Sequence, residues 1–288
     1  MSMKPTGIHN MRNTCYFNSA LQVLYNTKTF VNMLQFFAQD LKQSEFINAY
    51  INVLKAQNGS TVLNFNDLKN FYNIFLEKCP FFENLHVQHD SCETMLCVID
   101  TLYESFKNTN LKRNYIEDIF DFKLKCDLKC NNCGHIIVNN YNQRNIFIQS
   151  DSVSIQDSLN KYFNDECMED YKCEKCNEKK CCKSYKVCKI PHVLIVNINS
   201  YDIYGSKVEL KTNIEETLTF HNKKFILYSA LCHHGSAHNG HYTSSVKVKH
   251  SERINYYIVD DDIVHELDEK KNNFFLKNAY VLMYHCEN

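Results

Sequence analysis

Asn10-Met11-Arg12-Asn13-Thr14-Cys15-Tyr16-Phe17-Asn18-Ser19 is the stretch on which the fold turns. From Thr14 to Tyr25 the apolar residues Phe17, Leu21, Leu24 and Tyr25 recur at helical spacing. Asn13 and Thr14 are residue types that cap a helix start. Cys15 therefore lies at the opening of a predicted helix, where unpaired backbone N–H groups and the helix dipole favour a thiolate. The same N–H groups can hold an oxyanion. The plainer alternative is a buried cysteine serving as a small apolar residue.

Outward from this stretch, Ser91 to Phe106 repeats the helical pattern with Met95, Ile99, Leu102 and Phe106. From Ile119 the pattern changes. Asp121 to Asp127 alternates, and His192 to Ile198 is a short buried-type run after Pro191. Phe225 to Cys232, Tyr256 to Val259 and Ala279 to His285 continue it. Helices precede strands rather than alternating with them, so the expected class is α+β, a helical lobe followed by an antiparallel or mixed sheet.

The 288 residues carry 32 basic and 33 acidic side chains and are 44% hydrophobic, which suits a sizeable core and exerts no global pull on nucleic acid or membrane. Apolar runs are too short for a bilayer span, and Met1 to Gly7 has no secretory pattern. Fifteen cysteines are an odd inventory for disulfide pairing. The expectation is a reducing compartment, cytoplasmic or nuclear, with thiols used as ligands, nucleophile or core residues.

A cysteine nucleophile needs a base, and the base needs an orienting group. His241, in His238-Asn239-Gly240-His241-Tyr242-Thr243, follows a strand and a short glycine-bearing loop; His233, His234 and His238 compete with it. Tyr256-Tyr257-Ile258-Val259 ends in Asp260-Asp261-Asp262, where a carboxylate can fix the tautomer of a histidine on the adjacent strand. Solvated acids in a hairpin turn are the plain alternative. Cys130-Asn131-Asn132-Cys133 and Cys173-Glu174-Lys175-Cys176 are two C-x-x-C pairs, enough for a closed four-thiolate structural zinc site with no position for catalytic water. The spacer, residues 134–172, exceeds the roughly 15–20 residues of a compact zinc ribbon, so each pair is expected at the tip of long paired strands. Cys126, Cys181 and Cys182 lie close enough in sequence to substitute as ligands.

Several segments then fall in a telling order. Gly7-Ile8-His9-Asn10 through Thr14-Cys15 to Gln22 is followed by Gln88-His89-Asp90-Ser91-Cys92-Glu93, then Tyr171 to Cys176 and Pro191 to Ile195. Phe225 to Gly235 leads into Gly240-His241-Tyr242, and Tyr257 to Asp261 and Ala279 to Tyr284 complete the series. In this order they resemble the catalytic domain of the ubiquitin-specific proteases, a family of papain-like cysteine peptidases. The resemblance runs from residue 7 to about 285 and implies one catalytic domain over 1–288, with a helical thumb to about 113 and a β-sheet palm and zinc-tipped fingers from about 114.

It also implies roles. Cys15 is the nucleophile, His241 the general base and Asp260 its orienter. Asn10 donates to the oxyanion, and Asp261 assists there or holds the histidine loop. Gln88, Asp90 and Glu93 line the cleft for ubiquitin's basic tail, whose arginines carboxylates can bind bidentately. Gly235 and Gly240 bound a mobile loop over that cleft. Cys130, Cys133, Cys173 and Cys176 hold one structural zinc ion, with no catalytic cofactor. The implied activity is hydrolysis of the isopeptide or peptide bond at ubiquitin's C-terminal glycine, with ubiquitin and ubiquitinated proteins as partners and an activating or targeting protein left open. A catalytically impaired ubiquitin-binding module, or a protease for a ubiquitin-like modifier, are the alternatives. Arg12 stands where the family commonly has glycine, which predicts a reshaped loop before Cys15; Tyr256 replaces a usual tryptophan.

Overall fold

The computed structural model describes residues 4–56, 63–83, 87–150, 152–202, 204–208, 210–236, 239–250 and 253–287. Six helices come first: α1 (Cys15–Tyr25), α2 (Lys28–Phe36), α3 (Glu45–Ala56), α4 (Phe65–Lys78), α5 (Ser91–Lys107) and α6 (Tyr115–Phe120). Capping residues set several of the starts. Asn64 accepts from Asn66 N and Asp67 N at the head of α4, Asp90 from Glu93 N at α5, and Asn114 from Ile116 N at α6.

Helix α1, like α2, starts without such a cap. Thr14 is its N-cap residue, as the sequence suggests, but its side chain does not cap. The hydroxyl instead accepts from Met11 N at 2.8 Å and bonds Asn10 Oδ1 at 3.3 Å. The Thr14 side chain therefore leaves the first turn of α1 its character as a site for negative charge.

The strands follow: β1 (Phe122–Cys130), β2 (Ile136–Gln143), β3 (Asn145–Gln149), then helix α7 (Ile155–Phe163), β4 (Glu166–Lys172), β5 (Lys179–Lys189), β6 (Val193–Asn199), β7 (Thr217–Phe220), β8 (Lys223–Gly235), β9 (Gly240–His250), β10 (Arg253–Asp260), β11 (Ile263–Leu267), helix α8 (Glu269–Leu276) and β12 (Ala279–Cys286). They form two sheets. Four antiparallel strands run β2-β1-β5-β4. The larger sheet has eight, ordered β11-β10-β9-β8-β12-β6-β3 with β7 on β8. It is mixed, since β3 runs parallel to β6 and every other pairing is antiparallel.

The central strands of this sheet are buried on both faces. Val193, Ile195, Val281 and Met283 point into the core shared with the helices, while Leu194, Val196, Leu282 and Tyr284 point into a second core with Ile155, Leu159 and Leu276 of α7 and α8. That two-sided burial is why residues 193–196 read as an unbroken apolar run rather than an alternation. Helix α1 lies between α5 and β9, and all its residues are buried. Ser91 Oγ donates to Tyr16 O at 2.9 Å, and the Ser91 and Ser19 hydroxyls pair at 2.9 Å, tying α5 to α1. Tyr228 on β8 meets Thr27 beyond the other end of α1 at 2.6 Å. Among the described residues no helix is long and apolar enough to cross a membrane.

Candidate active site

The packing of α1 on the sheet brings three sequence-distant residues together. Cys15 is the first residue of α1, His241 the second of β9 and Asp260 the last of β10. Strands β9 and β10 are antiparallel neighbours, so the start of one lies beside the end of the other. His241 Nε2 is 2.6 Å from Asp260 Oδ1, and the Cys15 thiol acts on the same ring. The Cys15 hydrogen bond is the largest influence on the imidazole. With the bond and charge of Asp260 it outweighs burial and pushes His241 up to about 9.

Asp261 links the two halves of the chain. It is the first residue of the turn joining β10 to β11 and adopts a left-handed φ of 52°, which aspartate tolerates better than most residues. Its Oδ2 accepts from Asn10 Nδ2 at 2.7 Å, its Oδ1 from Asn18 Nδ2 at 2.8 Å and its backbone carbonyl from Ile8 N at 2.7 Å. Asn10 is thereby fixed at both ends of its amide: Oδ1 accepts from Thr14 N at 3.2 Å while Nδ2 reaches Asp261. One Nδ2 hydrogen remains for another acceptor. Gly7 allows the N-terminal segment to approach this turn, since a Cβ there would lie 2.3 Å from Asp262 O. Of the three acids in the turn, two are engaged and Asp262 is exposed.

Sequence reasoning missed Asn18 and Gly7. The available signal for Asn18 was a polar residue one helical turn beyond Cys15, between the apolar Phe17 and Leu21. Arg12 is exposed and sits at φ 84°, the left-handed region that glycine favours. The loop thus keeps a glycine-type conformation at Arg12, at the strain cost of an L-side chain.

Gln88 Oε1 accepts from Gly240 N at 2.8 Å, pinning the start of the histidine-bearing strand to the segment ahead of α5. A Cβ on Gly240 would lie 2.2 Å from His233 Nε2, so this residue must be glycine for the strands to close. Gly235 pairs with Gly240 as the last rung of the β8–β9 ladder. The competing histidines take other parts. His233 is buried, its Nδ1 bonds Tyr201 OH, and burial first of all pulls it down to about 4, so it is neutral near pH 7. His234 packs on Phe275, and His238 lies outside the described residues.

Asp90 Oδ2 accepts from Tyr280 OH while Oδ1 caps α5. Asp90 and Glu93 line a cavity of about 490 Å³ with Asp100, Phe147, Asn197 and Tyr280, and Phe147 is 63% exposed at its edge. Of its three carboxylates, Asp100 pairs with Arg144 and Asp90 with Tyr280.

At the far end of the four-stranded sheet, Cys130 ends β1 and Cys133 lies in the turn to β2, while Cys173 and Cys176 lie in the turn between β4 and β5. Their sulfurs all lie within 4.8 Å of one another, with Cys130 to Cys176 at 3.6 Å and Cys133 to Cys173 at 3.7 Å. Four thiolates at about 2.3 Å from a tetrahedral zinc ion would be about 3.8 Å apart, so these residues fit the metal. Cys126, Cys181 and Cys182 are not in this group.

Known proteins resemble the chain over nearly its whole length. The model of the family described as ubiquitin carboxyl-terminal hydrolase matches residues 6–284. Ubiquitin carboxyl-terminal hydrolase 23 of Arabidopsis thaliana is 26% identical over 314 residues, covering 96% of this chain and 35% of that protein. Ubiquitin carboxyl-terminal hydrolase 36 of Drosophila grimshawi is 25% identical over 324 residues, covering 98% of this chain and 25% of that protein. The chain therefore spans about a third or less of the length of these curated relatives. A chain from the SAGA DUB module of Ubp8, Sgf11, Sus1 and Sgf73 bound to monoubiquitin superposes with a TM-score of 0.80 at 18% identity, covering 98% of this chain and 69% of that one. That likeness is one of fold: the helices correspond to a thumb, the eight-stranded sheet to a palm and the four-stranded sheet to fingers.

The His241 environment yields a titration with a definite sign. The folded value of about 9 lies above the ordinary 6.5, so protonation of His241 stabilises the fold fully below about pH 6.5, and that contribution is lost as pH rises through about 9. Imidazole NMR should place the His241 midpoint near 9, and Asp260→Asn should lower it. A midpoint at or below 6.5 in the wild type would contradict the Cys15–His241–Asp260 arrangement.

Proposed function

The chain belongs to the ubiquitin carboxyl-terminal hydrolase family, and from that membership we propose that it is a deubiquitinating thiol protease acting at the C-terminal glycine of ubiquitin. The observation that carries the reading is the hydrogen-bonded series Cys15–His241–Asp260 at the uncapped start of a buried helix. Such a series generates a thiolate and holds the proton that the leaving amine needs.

In the proposed reaction the Cys15 sulfur attacks the glycine carbonyl carbon. The carbonyl oxygen becomes an oxyanion, which takes the remaining Asn10 Nδ2 hydrogen and backbone N–H groups at the head of α1. The C–N bond breaks as His241 gives its proton to the amine. Water, losing a proton to His241, then attacks the thioester carbonyl, and the S–C bond breaks to free ubiquitin's carboxylate and the Cys15 thiol. Asp260 holds the ring through both steps. Asp261 is a positioning residue, since it acts through Asn10 and Asn18. Gln88 positions the strand that carries His241.

The cavity beside Asp90 and Glu93 suits the arginines of ubiquitin's extended tail. Cys130, Cys133, Cys173 and Cys176 would hold a structural zinc ion, which supplies a cross-link between two strand turns and no catalytic chemistry.

Ubiquitin bearing a C-terminal thiol-trapping electrophile tests the activity. The reduced protein should form a single covalent adduct, and Cys15→Ala should form none; no wild-type adduct, or an undiminished one with Cys15→Ala, would overturn the assignment. Elemental analysis should find about one equivalent of zinc per chain, reduced in Cys130→Ser and Cys173→Ser. A folded, metal-free wild type would remove the zinc assignment.

A further inference from the structure

Two cysteines of the four-stranded sheet stand outside the four-thiol group and face each other. Cys167 on β4 and Cys182 on β5 are direct partners in the antiparallel ladder, and their sulfurs are 2.9 Å apart. Directly opposed residues of antiparallel strands have Cα atoms about 4.5–5.5 Å apart, within the span that a disulfide bridges. Closing the remaining gap needs a side-chain movement of about 1 Å and no backbone shift.

The surroundings favour reaction. Cys167 is exposed and Cys182 half-buried, so solutes reach the pair. Asn131 Nδ2 donates to Cys182 Sγ at 3.3 Å, and Lys129 stands opposite Cys182 on β1. A hydrogen-bond donor and a cationic residue beside one thiol, with a second thiol in contact, are the parts of an oxidant-sensitive pair. The helical half holds another close pair, Cys79 and Cys97, with sulfurs at 2.7 Å. There Cys79 is only 7% exposed, so solvent reaches it far less readily.

We propose that Cys167 and Cys182 form a reversible disulfide when the protein meets a peroxide. The Cys182 sulfur attacks one peroxide oxygen; an S–O bond forms, the O–O bond breaks, and the departing oxygen leaves as water with the thiol proton. The Cys167 sulfur then attacks the oxidised Cys182 sulfur; the S–S bond forms, the S–O bond breaks, and the second oxygen leaves as water with the Cys167 proton. Two thiols are oxidised by two electrons and one hydrogen peroxide is reduced to two waters. The product closes a covalent loop over residues 167–182, which contains Cys173 and Cys176, so the two strands presenting those thiols are held together.

The test uses the whole, metal-replete chain carrying Cys15→Ser, which removes the active-site thiol. After treatment with a few equivalents of hydrogen peroxide, free thiols are alkylated and non-reduced peptides are mapped by mass spectrometry. The expected result is a Cys167–Cys182 cross-linked peptide that forms before any Cys79–Cys97 cross-link. Dithiothreitol should return it to two alkylatable thiols, and Cys167→Ser and Cys182→Ser should each abolish it. Cys167 and Cys182 both alkylated while other cysteines have oxidised, or both carried to sulfinic acids without a cross-link, would overturn the proposal.

Discussion

The burial of α1 on all sides is the constraint from which the rest of the structure follows. A helix packed against α5 on one face and β9 on another belongs to neither half of the chain alone. Its N-terminus must therefore emerge at the seam between helices and sheet, and that is where Cys15 meets His241 and Asp260. Fully buried Phe17 secures the position by packing against Phe71, Tyr72 and Phe75, with ring centroids 4.8–5.8 Å apart. Apolar packing of this kind has no direction. Direction comes from the polar groups at the seam, above all Asp261, whose carboxylate accepts from Asn10 and Asn18 at once. Leaving either side of a buried polar contact unmade costs about 1–3 kcal/mol, enough to select one register of α1 over its neighbours.

Much of this was legible in the sequence, and the exceptions have physical reasons. The helical spacing around Phe17 and Leu21 and the repeat from Met95 to Phe106 gave α1 and α5, because periodic burial leaves a periodic trace. The paired C-x-x-C motifs located the strand tips, since chelation demands close spacing within each pair while tolerating any spacer between them. The parallel pairing of β3 with β6 left no trace, because β3 is five residues long and its partner strand lies far along the chain. Thr14 looked like a cap, and its hydroxyl is turned instead toward Met11 and Asn10, a choice made by tertiary contacts. Asn18 and Gly7 are invisible for a related reason: each acts on the turn at Asp261–Asp262, hundreds of residues away.

The cysteines illustrate how one residue type divides by environment. Cys15 lies at a helix start beside an imidazole; Cys92 and Cys232 are buried and their thiols are pushed up to about 12, chiefly by desolvation, which suits inert core residues. Four more gather at the strand tips. Arg12 shows a comparable economy of backbone: the left-handed conformation is kept although the residue is not glycine. The loop before Cys15 is therefore held by its surroundings, with Thr14 and Asn10 on one side and the Asp261 turn on the other.

The central claim is that Asp261 joins the two halves of the site by binding Asn10 and Asn18 together. A double-mutant cycle with Asn18→Ala and Asp261→Ala, read as kcat/KM for release of a reporter from the C-terminus of ubiquitin, tests it most directly. The account predicts that each single replacement lowers kcat/KM and that the double variant is little worse than the more damaged single one, a coupling of about 1 kcal/mol or more. Losses that simply add would contradict it.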